Sequence, residues 1–197
     1  MTVFTERVVT LLQGNGIIRE EDRELYIYGL QQGFIIIWNI LTTVTIGIIL
    51  GQVWESILFM FAYFPLRSCA GGYHAKTPLR CYLLSIIMAI AALISMRLPI
   101  WNSVIGLVSV IGSSVVILLL APVEDSNKPL DATETVVFKK RTKVVLYVLV
   151  GMVVIFQIVR LPDVSHCIML ALITLSIMLV LGKLKNLGER KNIVKTS

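Results

Sequence analysis

The sequence predicts an all-α fold, specifically a polytopic helical bundle that is integral to a membrane. Of its 197 residues, 56% are hydrophobic and only 15% are charged, whereas soluble domains carry about 25% charged residues. The mean hydropathy is +0.84, and the apolar residues are concentrated in long segments. We therefore expect a single membrane-embedded domain, 1–197, with about six membrane segments.

Six apolar segments predict the helices of the bundle. They are 34–50, 53–66, 81–96, 103–121, 144–159 and 164–182. The second is short for a span, which needs about 20 residues, and it contains Glu55. We therefore expect it to be tilted, re-entrant or extended into the interface.

The N-terminal region, 1–33, is polar and predicts an amphipathic helix rather than a secretory signal peptide. Apolar residues recur at helical spacing over 3–13, and Gly14-Asn15-Gly16 predicts a turn. Two interpretations stay open for this helix: it lies on the cytoplasmic membrane surface, or it packs against the bundle.

Basic residues predict the orientation. The formal net charge is +6, but these residues lie beside apolar segments, so topology and anionic lipid headgroups account for them, and no nucleic-acid motif is present. The positive-inside rule places both termini and three basic segments in the cytoplasm, leaving short outer loops. These segments are a loop, 67–80, a polar loop, 122–143, and a tail, 183–197. We expect a multi-pass protein of the cell membrane.

The first of these loops carries the residues with chemical potential, in the stretch RSCAGGYHAKTPLRC, 67–81. Thr77 and Pro78 predict a helix start, so Cys81 falls in the first turn of a helix or just past it, where the helix dipole and Arg80 favour the thiolate. A Gly-Gly pair before His74 permits a tight turn. The histidine can then fold back and act as general base for Cys81.

Two other interpretations of this loop are a polar connection with an interfacial cysteine, and a metal site. Cys69, His74 and Cys81 supply only three ligands, at a spacing unlike the familiar zinc patterns, so we expect no metal and no cofactor. The odd count of three cysteines argues against a disulfide framework. We expect Cys167 to be a buried, inert thiol.

Two motifs resemble the accessory gene regulator B family. Arg67…Gly71-Gly72-Tyr73-His74-Ala75…Cys81 resembles its signature, and APVEDSNKPL, 121–130, followed by a basic cluster, resembles its cytoplasmic loop. The resemblance covers essentially the whole chain. It implies a membrane cysteine endopeptidase of quorum sensing, a homodimer, in which His74 and Cys81 are the catalytic pair. It matches Arg67 and Gly72 to further motif positions.

The resemblance also implies the reaction. Cys81 cleaves the C-terminal tail from the propeptide of an autoinducing peptide through an acyl-thioester, and the peptide cyclises to a thiolactone or lactone. Such propeptides have an amphipathic leader and an acidic C-terminal region. Candidate residues for binding that region or positioning the loop are Arg67, Gly72, Lys76, Arg80 and Lys128, together with the basic residues at 139–143. Arg67 is equally suited to gripping a carboxylate and to bonding loop carbonyls.

Several roles are left open by the residues. Glu55, Glu124 and Asp125 are candidates to orient His74, and the backbone amides of 79–81 are candidate oxyanion donors. The competing function is a non-enzymatic transporter or exporter of a small peptide, since the small and polar residues of 109–114 suit a path or a helix contact. Transporters usually place ionisable groups at depth, and here only Glu55 is a candidate.

Overall fold

The computed structural model describes residues 2–73, 77–99, 101, 103–124 and 131–196. The regular elements in these ranges are seven α-helices and one short 3-10 helix, which confirms the predicted all-α class. They are α1 Thr2–Gly14, the 3-10 helix Glu20–Asp22, α2 Arg23–Leu50, α3 Val53–Ala70, α4 Pro78–Met96, α5 Ser103–Leu120, α6 Ala132–Ile158 and α7 Pro162–Thr196.

The apolar segments of the sequence all lie on helices, and a polytopic membrane bundle is confirmed. Four helical stretches are long and apolar enough to cross a membrane: Glu20–Leu50, Leu79–Met96, Ala132–Ile158 and Pro162–Gly188. Val104–Leu120 is a shorter apolar helix. The second segment lies within α3, which is 18 residues long with Pro65 inside it. Six full spans remain a prediction.

The chain divides into two compact units, 1–42 and 43–197. The first unit contains α1, as predicted from the amphipathic pattern, and the first part of α2. Phe4 of α1 contacts Phe34 of α2 edge to face, with ring centroids 5.7 Å apart. Within the described residues of α1, Thr5 and Val9 are buried, whereas Leu11 is exposed.

The core of the second unit is built around α7. This helix packs against α3, α4, α5 and α6. Of its apolar stretch, 67% is buried, compared with at most 22% in the other three long stretches. A helix that is apolar on all sides suits such a central position. Close approach is aided by Gly106 of α5, where a Cβ would lie 3.0 Å from the sulfur of Met169.

Helix α6 begins earlier than the apolar pattern indicated. The basic residues at 139–143, expected within the loop 122–143, lie on α6. Asp131 caps this helix: its Oδ1 accepts from the amide of Glu134 at 2.6 Å, and Glu134 Oε2 accepts from the amide of Asp131 at 3.2 Å. Because this capping box starts the helix, the lysines and arginine that follow are helical.

Three further boundaries differ from the sequence prediction. Helix α2 begins at Arg23, within the polar region expected at 1–33. Helix α3 continues to Ala70, so the loop expected at 67–80 begins at Gly71 and ends at Thr77. Helix α7 continues through the expected tail, 183–197, as far as Thr196. That segment is rich in lysine and also contains leucine and arginine, which are good helix formers, so the helix need not end where the apolar residues end.

Candidate active site

Cys81 lies in the first turn of α4, where the Thr77-Pro78 signal predicted it. Thr77 is the N-cap: its Oγ1 accepts from the amide of Arg80 at 3.4 Å, and its carbonyl accepts from the amide of Cys81 at 3.2 Å. Pro78 is the first helical residue. The Cys81 side chain is half-buried, so the thiol sits at the junction between the loop and the membrane-embedded helix.

Arg67, in the last turn of α3, holds the loop that leads to His74. Its Nη1 donates to the carbonyl of Gly71, and its Nη2 donates to the carbonyl of Tyr73 at 2.7 Å. Both terminal nitrogens of the guanidinium therefore donate to backbone carbonyls of the loop. This arrangement suits a residue that positions the loop. His74 and Lys76, and Lys128 of the second motif, lie outside the described residues.

The two glycines of the motif meet separate requirements. Their φ angles are 70° at Gly71 and 136° at Gly72, in a region that favours glycine. A Cβ on Gly71 would lie 2.2 Å from the carbonyl oxygen of Val123, and one on Gly72 would lie 1.7 Å from Nη1 of Arg67. Gly71 thus admits a neighbouring strand-like segment, and Gly72 admits the guanidinium.

The second sequence motif pairs with the first through its backbone. The amide of Val123 donates to the carbonyl of Ala70 at 3.0 Å, and Val123 forms an isolated parallel β-bridge with Gly71. Asn186 of α7 donates from Nδ2 to the carbonyl of Glu124 at 2.9 Å. The two motifs, which are far apart in sequence, therefore contact each other, and α7 contacts the second of them through Asn186.

Helix α7 also supports the first motif, a contribution that the sequence analysis missed. The amide of Tyr73 donates to the carbonyl of Met178 at 2.9 Å. A Cβ on Gly182 would lie 2.8 Å from both the carbonyl carbon of Gly72 and the nitrogen of Tyr73. The ammonium of Lys185 lies 5.9 Å from the centre of the Tyr73 ring. Residues 178, 182 and 185 share one helix face, and this spacing is visible in the sequence. The sequence does not show, however, that this face contacts Gly72 and Tyr73.

Tyr63 lies one helical turn before Arg67 on α3. Its ring stacks on Phe59, with centroids 5.5 Å apart and planes 9° apart. The loop that Arg67 holds and the helix start that carries Cys81 are joined in sequence through residues 74–76. We therefore take this corner of the second unit as the candidate active site.

The other candidate residues are distributed differently. Glu55 lies in the first turn of α3 and Arg67 in its last, about 18 Å apart along the axis at 1.5 Å per residue. Glu55 therefore lies at the opposite end of α3 from Arg67 and the start of the loop. The side chains of Arg80 and of the α6 cations are exposed. These cations are Lys139, Lys140, Arg141 and Lys143.

The remaining cysteines differ in environment. Cys167 is fully buried, as predicted. Cys69 is half-buried, with its sulfur 3.9 Å from the hydroxyl of Ser68. Within the described ranges, no group of three or more His, Cys, Asp or Glu side chains is placed to hold a metal ion. His74 is outside those ranges, so the alternative set of Cys69, His74 and Cys81 stays untested.

Comparison with known proteins gives one finding. A family model described as accessory gene regulator B matches residues 5–179. The match includes both motifs, the helix start at Cys81 and α7 as far as Leu179. Comparison with curated proteins and with solved structures gives no match.

Proposed function

We propose, from the premise that this chain belongs to the accessory gene regulator B family, that it cleaves its substrate with Cys81 as nucleophile and His74 as general base. The family consists of quorum-sensing peptidases that process the propeptide of an autoinducing peptide. The observation that supports the residue assignment best is the placement of Cys81 in the first turn of α4, directly after the loop whose backbone Arg67 holds.

The first step is cleavage. His74 takes the proton of the Cys81 thiol, and the thiolate attacks the carbonyl carbon that joins the peptide to its C-terminal tail. The tetrahedral intermediate collapses, its C–N bond breaks, and the imidazolium gives its proton to the departing amine. The tail leaves, and the peptide remains attached to Cys81 as an acyl-thioester.

The second step is ring closure. A thiol or hydroxyl of the same peptide attacks the thioester carbonyl, and the bond to the Cys81 sulfur breaks. The proton of the attacking group passes through His74 to the sulfur that leaves. A thiolactone or lactone is released, and Cys81 is regenerated. Water must be kept from the thioester, since hydrolysis would give a linear peptide.

The oxyanion of both steps needs donors near the start of α4. Of the three amides considered from sequence, those of Arg80 and Cys81 donate to Thr77. We therefore assign the amide of Leu79 as the backbone donor of this set, because the first amides of a helix have no intrahelical acceptor.

The acidic C-terminal region of the propeptide is the part that cations attract. The exposed cations of α6 and Arg80 lie on segments that we place in the cytoplasm with the loop. They would raise the local concentration of an acidic tail by electrostatic attraction. Arg67 is not assigned to this task, because its guanidinium is bonded to Gly71 and Tyr73.

The deciding experiment is reconstitution of the purified protein in liposomes with its propeptide, followed by mass spectrometry of the products. We expect the wild type and Cys69→Ala to release the tail, whereas Cys81→Ala and His74→Ala release none. Cys69→Ala is the matched control, because Cys69 is also half-buried and lies at the same end of the bundle. A covalent acyl adduct on Cys81 would identify the nucleophile.

Tail release by Cys81→Ala would overturn the assignment. If the wild type binds the propeptide and moves it across the bilayer uncleaved, a transport function replaces the peptidase. Two linked proposals have separate tests. Labelling of Cys81 by an impermeant maleimide only from the cytoplasmic side supports the topology, and cross-linking of reconstituted protein to a two-chain species supports a homodimer.

A further inference from the structure

We propose that Gly182 of α7 is a positioning residue for the catalytic pair: its bare backbone is the surface on which the loop before His74 rests. This inference rests on the proposed roles of Cys81 and His74. Gly182 lies beyond residues 5–179, where the family match ends.

The contact is backbone on backbone. Gly182 is buried, and a Cβ there would lie 2.8 Å from the carbonyl carbon of Gly72 and from the nitrogen of Tyr73, and 3.0 Å from the oxygen of Gly72. All three are main-chain atoms, so they cannot rotate away as a side chain would. Any residue other than glycine at 182 must therefore displace the loop or the helix.

The approach at Gly182 allows a specific hydrogen bond. Tyr73 donates its amide to the carbonyl of Met178, one turn earlier on α7, at 2.9 Å. Tyr73 is the residue immediately before His74, and its own carbonyl accepts from Arg67 at 2.7 Å. The backbone of Tyr73 is thus held by α3 through its carbonyl and by α7 through its amide.

Asn186 extends the same face of α7 by one more turn. Its Nδ2 donates to the carbonyl of Glu124 at 2.9 Å, and the adjacent Val123 pairs with Gly71. Met178, Gly182 and Asn186 recur every four residues, so they form one stripe of the helix. We call these three residues the docking stripe. It holds the two sequence motifs in register with each other.

The predicted consequence is kinetic. A displacement of about 1 Å of a reacting group can lower a rate about 100-fold. We therefore expect Gly182→Ala to lower the rate of tail release roughly ten- to a hundredfold, with KM unchanged because the stripe touches the enzyme's own loop. Alanine is a better helix former than glycine, so a loss would not arise from weakening of α7.

Gly188→Ala is the matched control. Gly188 lies on the same helix, and a Cβ there would meet nothing within 4 Å. Asn186→Asp is a milder second variant, since it keeps the shape and removes the donor to Glu124. We expect its rate to fall roughly three- to tenfold, as for the loss of one hydrogen bond. It tests the proposal even if Gly182→Ala does not insert.

The reactivity of Cys81 gives a second measurement of how Cys81 and His74 are positioned. In a Cys69→Ser background, the rate of Cys81 alkylation by iodoacetamide is measured against pH, which reports the thiolate that His74 supports. We expect the profile to shift to higher pH in Gly182→Ala and to be unchanged in Gly188→Ala. If Gly182 served only the stability of the fold, the folded molecules of Gly182→Ala would show the same pH dependence of Cys81 alkylation as the wild type.

The outcomes separate the two proposals. If the wild type cleaves and Gly182→Ala matches Gly188→Ala in both rate and alkylation profile, the positioning role is wrong and the peptidase assignment stands. If the wild type never cleaves but the alkylation profile shifts in Gly182→Ala alone, the positioning of Cys81 and His74 stands and the peptidase assignment fails.

Discussion

At the residue scale, Arg67 and Gly72 work as one unit. The guanidinium nitrogen lies where a side chain at 72 would begin, 1.7 Å from the position of its Cβ. In return, the guanidinium bonds to the carbonyls on either side of Gly72, those of Gly71 and Tyr73. A side chain at position 72 would displace the guanidinium, and a shorter side chain at position 67 would leave the carbonyls of Gly71 and Tyr73 without these hydrogen bonds.

Arg67→Lys tests whether the guanidinium holds the loop or binds substrate. An ammonium lacks the planar fork that reaches two carbonyls, so at least one charge-assisted hydrogen bond is lost. We expect kcat for tail release to fall roughly ten- to a hundredfold with KM unchanged. Arg80→Lys is the control, since the Arg80 side chain is exposed. A rise in KM with kcat preserved would show instead that Arg67 grips the propeptide.

Gly72→Ala separates steric exclusion from backbone strain. Gly16 has a φ of 70° and open space around its Cβ position, whereas Gly72 has a φ of 136° and meets Arg67. Either alanine carries about 1–3 kcal/mol of strain, but only the one at 72 displaces the guanidinium. We expect Gly72→Ala to lose about 100-fold in rate per folded molecule and Gly16→Ala to retain its rate, measured by tail release in liposomes. Equal rates would contradict the coupling.

The sequence predicted the local half of this site and not the non-local half. Thr77 and Pro78 begin α4 as expected, because a cap and a first-turn proline act within a few residues. Gly182 and Gly72 are far apart in the sequence. The residues around a glycine in an apolar helix do not indicate which distant residue it contacts. The docking stripe could therefore not be predicted from the sequence alone.

At the element scale, the apolar pattern located the helices but placed several of their boundaries too close to the membrane centre. Helix α6 begins at its capping box, Asp131 and Glu134, before its apolar residues begin. The ends of α3 and α7 were placed too early, because the apolar pattern stops at the membrane interface while helical hydrogen bonding does not. Polar helical turns outside the membrane follow from helix propensity alone.

The polar start of α6 presents Lys139 and Lys143, one turn apart, on an exposed helical surface. If these cations attract the acidic tail, the double variant Lys139→Glu/Lys143→Glu should raise KM for the propeptide at low salt with little change in kcat. The Debye length falls from about 10 Å at 0.1 M to about 3 Å at 1 M, so the difference should largely vanish at high salt.

Lys139→Arg/Lys143→Arg is the control for this prediction, because it keeps the charges and should keep the wild-type KM. Steady-state tail release at two salt concentrations is the measurement. If charge reversal leaves KM unchanged at low salt, the cluster serves topology alone, as the positive-inside rule would have it.

At the scale of the whole molecule, the central position of α7 is the feature that hydropathy could not reveal. In a membrane, lipid-facing and protein-facing surfaces are both apolar, so a buried span and a peripheral span look alike in sequence. The same helix carries Gly182, the last residue of the apolar segment 164–182, against the loop, and Asn186, one turn further on, against Glu124 of the second motif. One element thus serves as both the core of the second unit and the support of the site.

A pair of leucine truncations tests this architecture. Leu172 of α7 is fully buried, whereas Leu119 of α5 is 77% exposed on the surface that we assign to lipid. Leu172→Ala should lower the free energy of unfolding by about 2–5 kcal/mol, because it leaves a cavity in a packed core. Leu119→Ala should change it far less, since lipid chains fill the space. Unfolding in mixed micelles with a denaturing detergent gives both values. Equal losses would mean that α7 does not occupy the centre, and the support that it gives to the loop before His74 would then need another explanation.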